Sequence, residues 1–152
     1  PYGPGLDFWR LFQGAQGTMA VMTWGNVKIE HKSKVNKPYF ILLQKVEDAV
    51  NILYRIGRSM VGNELLLLNN VNLAAILAED GPQGYDRLLH VLPPWTIITI
   101  ISGGVYRAEE RVEYEEEELM RIGREFSLEK VYSALPGVTG VERRVVDMLR
   151  NP

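Results

Sequence analysis

The sequence predicts an α+β fold with its long helices on one face of a sheet. By hydropathy pattern, residues 38–126 run strand, helix, strand, helix, strand, helix. Two of those helices, Val46–Met60 and Arg107–Phe126, are long and carry one apolar stripe each. Each stripe needs an apolar surface, and the intervening strands supply one. Of the 152 residues, 46% are hydrophobic and 24% charged, enough apolar material for a real core. Two stripes on one shared sheet give a ferredoxin-like arrangement, with its fourth strand late in the chain or missing.

The elements follow in order. Leu6–Phe12 reads as a short apolar helical turn, broken by Gly14 and Gly17. From Thr18 to Ile29, Met19, Val21, Thr23, Val27 and Ile29 alternate with Ala20, Met22, Trp24, Asn26 and Lys28, the period of a strand. His31 to Pro38 is polar and cationic and ends in proline, which marks a domain boundary after residue 37. Tyr39–Leu43 is a buried strand. Val46, Ala49, Val50, Leu53, Ile56 and Met60 mark one helix face. Leu65–Leu68 is the second apolar run, and Asn70–Glu79 a helix on Leu73, Ile76 and Leu77. Gly81-Pro82-Gln83-Gly84 reads as a loop. Trp95–Ile101, rich in Ile and Thr, is the third strand, ended by Gly103-Gly104. Arg107–Phe126 turns Val112, Leu119, Ile122 and Phe126 inward. Leu128–Leu135 and Val141–Leu149 have helical character, split by Pro136-Gly137.

Composition excludes several functions. The formal net charge is −2, without the cationic surplus of a nucleic-acid binder or a polybasic membrane anchor. There is no cysteine, which removes disulfides, thiolate nucleophiles and Cys-based metal centres. Only two histidines, His31 and His90, are present, so no metal site is expected. The longest apolar runs fall far short of the about 20 residues of a membrane helix. No signal peptide is evident at Pro1, and the chain reads as an internal excerpt of a longer, cytoplasmic protein.

The most informative local feature is Gly14-Ala15-Gln16-Gly17-Thr18 ahead of an extended segment. Glycines permit positive φ and close approach to a ligand, and exposed turn amides can face an anion. It is no dinucleotide fingerprint, since a strand does not precede it and a helix does not follow it. The stretch Leu6-Asp7-Phe8-Trp9-Arg10-Leu11-Phe12-Gln13-Gly14-Ala15-Gln16-Gly17-Thr18-Met19-Ala20-Val21-Met22-Thr23 resembles FAD-linked oxidases of the vanillyl-alcohol oxidase and D-lactate dehydrogenase superfamily, glycolate-oxidase-like proteins among them. Their usual form is an aspartate and a Leu-Phe pair, then Gly-Ser-Glu/Gln-Gly-Thr-Leu-Gly-Ile-Val-Thr-Glu. The chain keeps the Leu-Phe pair, both glycines, Gln16, Thr18 and Thr23 in register. It departs at Ala20, usually Gly, and at Trp24, usually Glu.

The resemblance implies two pieces: residues 1–37, the end of a PCMH-type FAD-binding domain, and residues 38–152, an incomplete cap or substrate domain. It implies FAD as cofactor, with Gln16, Gly17, Thr18, Met19, Ala20, Val21 and Met22 lining its site. It also implies hydride transfer from a small 2-hydroxy acid or related alcohol to flavin, and an electron acceptor that reoxidises it. The excerpt alone is expected to bind no FAD and to be inactive, with residues 6–29 either self-associating with another copy, folding back on the cap domain or losing order. No catalytic residue is identified within it.

The remaining polar features have plainer readings. His31 belongs to the cationic linker, and His90 reads as a hydrogen-bonded, half-buried residue. Glu113, Glu115, Glu116, Glu117 and Glu118 read as a solvated helix face beside Arg111 and Arg121. The rival from another class is a non-catalytic α+β module that binds a small molecule or a protein, with the glycine turn and its strand as a docking arm.

Overall fold

The computed structural model describes residues 12, 14–26, 29, 31–78, 81–128 and 131–150. The chain divides into two units, Pro1–Glu30 and His31–Pro152. The expected helix Leu6–Phe12 lies outside the described residues except for Phe12.

In the second unit the order is β1 (Val35–Leu43), α1 (Val46–Ser59), β2 (Glu64–Asn69), α2 (Asn70–Leu77), α3 (Gly81–Val91), β3 (Trp95–Gly103), α4 (Ala108–Glu125) and α5 (Val141–Arg150). It is an α+β domain with an open three-stranded sheet in the order β1-β3-β2. β3 is antiparallel to both neighbours, with Tyr39 opposite Thr99 and Leu66 opposite Ile98. β1 and β2 are therefore parallel to each other, joined through α1, with β3 inserted between them. This is the split β-α-β arrangement of a ferredoxin-like fold.

The strand period sorts the core into two layers. Tyr39, Ile41, Leu43, Ile97 and Ile101 face one side, where Ala49, Ile52 and Ile56 of α1 and Val112, Leu119 and Ile122 of α4 close on them. The two long helices thus share one face, as their stripes predict. Phe40, Ile98 and Ile100 face the other side, covered by Leu73 and Leu77 of α2, Leu88 of α3, and Val141 and Val145 of α5. The sheet is therefore covered on both faces, one layer more than the sequence predicts. β3, central and apolar on both sides, is buried from Thr96 to Gly103.

Four expectations need correction. Residues 18–26 and 29 carry no strand, so the strand over Thr18–Ile29 is absent among the described residues. Its alternation supplies side chains for two faces but no partner strand to pair with. β1 begins at Val35, so part of the cationic stretch to Pro38 is strand rather than linker. Pro38 is tolerated because β1 lies at the sheet edge. Gly81–Gly84 is the first turn of α3 rather than a loop; Pro82 sits where a helix needs no N–H from it.

Finally, 131–135 is not helical. Tyr132 bridges Phe40 in antiparallel fashion, Phe40 N donating to Tyr132 O at 2.7 Å and Tyr132 N to Phe40 O at 2.9 Å. This one residue occupies the fourth-strand position beside β1, late in the chain.

Candidate functional site

The resemblance places the cofactor segment at 16–22, in the first unit. Its entry is a tight turn. Thr18 N donates to Ala15 O at 2.9 Å, and the two central residues, Gln16 and Gly17, have φ of 49° and 79°. Both values are positive, the signature of a type I′ turn. Thr18 Oγ1 also donates to Ala15 O, at 2.6 Å, so the hydroxyl closes the turn. A Cβ built at Gly17 meets nothing within 4 Å. Glycine here serves the positive φ, and the space around it is open.

Beyond the turn, residues 19–26 are exposed and outside any ladder. Val21 is 87% exposed and Trp24 78%. Large apolar side chains beside unladdered backbone N–H and C=O groups make a surface suited to being covered. A group that binds through main-chain hydrogen bonds and apolar contact, such as FAD, suits this segment.

His31 is exposed, and so is His90, on α3. The half-buried reading of His90 fails because α3 turns Gly84 and Leu88 inward, and His90 lies two residues past Leu88, on the outer side. Among the described residues no three His, Asp or Glu side chains gather to hold a metal. No helix among them is long and apolar enough to cross a membrane.

Polar organisation in the second unit centres on α4, and here the solvated reading of the acidic run is only half right. Glu113 and Glu117 are exposed. Glu115 is buried at 7% exposure. Its carboxylate accepts from Gly62 N at 2.9 Å and from Arg111 Nε at 2.8 Å. Glu116 accepts from Lys37 Nζ at 2.9 Å and from Tyr39 OH. Glu118 pairs with Arg121 and lies 3.7 Å from Arg55 Nη2. The hydrogen bond from Arg121 holds the Glu118 carboxyl below the usual carboxylate range and raises the Arg121 guanidinium in turn.

The signal for Glu115 was present in the sequence. Val112, Glu115, Leu119 and Ile122 follow a 3-4-3 spacing, which puts the carboxylate inside the apolar stripe.

Two of the unit's concavities lie at clusters of arginines. One, about 450 Å³, is lined by Arg55, Arg111, Arg121, Glu115 and Glu118 where α1 ends against α4. The other, about 380 Å³, is lined by Arg87, Leu88, Val91, Thr139 and Arg144, with Arg144 Nη1 donating to Leu77 O at 2.6 Å. Both are built around guanidiniums already engaged by the protein, which suits ordering of elements rather than chemistry.

No family model and no curated protein sequence matches this chain. Among solved structures, the fold is similar to that of p-cresol methylhydroxylase with substrate bound: TM-score 0.51, 11% identity, over 76% of this chain and 25% of that one. At that identity the likeness is one of fold. The chain spans about a quarter of the length of the enzyme it resembles.

Proposed function

We propose that the chain is part of an FAD-dependent oxidoreductase that oxidises a small 2-hydroxy acid or related alcohol by hydride transfer to flavin. Residues 1–37 are the end of its FAD-binding domain and 38–152 most of its cap. The observation that carries this is the fold likeness to p-cresol methylhydroxylase over 76% of the chain. The Gly14-to-Thr23 resemblance, which rests on sequence and not on fold, points to the same superfamily.

FAD, when bound, supplies the hydride acceptor. Gln16, Gly17 and Thr18 hold a turn that leads into the following backbone, and Met19, Ala20, Val21 and Met22 offer N–H and C=O groups outside any ladder. The apolar side chains of Met19, Val21 and Met22 exclude water from what they cover. The cap, with its two helix layers, gives a rigid sheet on which substrate contacts can be set.

Residues 16–22 supply only part of a cofactor site. Association must offset about 4–15 kcal/mol of lost translational and rotational freedom. The 152-residue chain alone should therefore purify without flavin. The test is acid-released FAD from the protein expressed from its complete reading frame. About one FAD per chain is expected. A complete protein that neither carries nor takes up FAD contradicts the proposal, as does tight FAD binding by the 152 residues alone.

A further inference from the structure

We draw no further inference here: the strongest candidate, the cavity of about 380 Å³ between α3 and the start of α5 that Arg87, Thr139 and Arg144 line, carries nothing, because both guanidiniums already have partners within the protein, Arg144 Nη1 donating to Leu77 O at 2.6 Å, and nothing in the structure beyond the N-terminus of α5 points to a ligand there.

Discussion

Gly62 sits where α1 hands over to β2, with φ of 79° and Thr99 of the central strand directly beneath it. A Cβ there would fall inside contact distance of Thr99 Oγ1, while Gly62 N donates to the buried Glu115 carboxylate. Two costs therefore add in Gly62→Ala: about 1–2 kcal/mol for a left-handed non-glycine residue and about 1–3 kcal/mol for overpacking. Urea denaturation should show a lower midpoint with an unchanged slope, and an unchanged midpoint would remove Gly62 from the account. Nothing in the sequence announced this glycine. Its need arises from Thr99, 37 positions away in the chain, and only the folded sheet brings the two together. Gly17 was legible for the opposite reason: its turn is local, and Gly14-Ala15-Gln16-Gly17 carries its own chemistry.

At the scale of elements, α4 clamps the edge strand β1 through Glu116 and α1 through Glu118 and Glu125. Glu118 has a carboxyl pKa lowered by Arg121. Its favourable pairing is therefore present above the unfolded-state pKa and is lost as pH falls through the folded-state value. The melting temperature should fall as pH drops below the ordinary carboxylate value of about 4.5, less steeply in Glu118→Gln, and the difference should shrink in high salt because the pair is solvent-facing. Equal pH slopes in the two proteins would show that the pairing contributes nothing. The regular elements themselves were readable because period sets them: α1, β2, α2, β3, α4 and α5 begin and end within about two residues of where the pattern places them. The failures are those in which tertiary context prevailed. Pro82 looks like a loop residue but fits a first helical turn, and 131–135 look helical until Phe40 supplies a strand edge for Tyr132.

At the scale of the molecule, the chain combines a double-covered sheet with a short exposed segment, and the functional proposal draws on the fold likeness of the chain and on the sequence resemblance of that segment. Sequence resemblance supplied the cofactor reading of residues 16–22, and the chain is similar in fold to p-cresol methylhydroxylase over 76% of its length. The second helix layer was not legible, because α2, α3 and α5 reach the far face of the sheet only through Phe40, Ile98 and Ile100 on strands apolar on both sides. The most direct measurement is the FAD affinity of the complete protein with Gly17→Val, compared with wild type by flavin fluorescence. Valine is strained at a φ of 79°, and under the proposed function its branches would stand in the path of the cofactor. The account predicts lower flavin occupancy with the thermal unfolding of residues 31–152 unchanged. Full occupancy in Gly17→Val would contradict it.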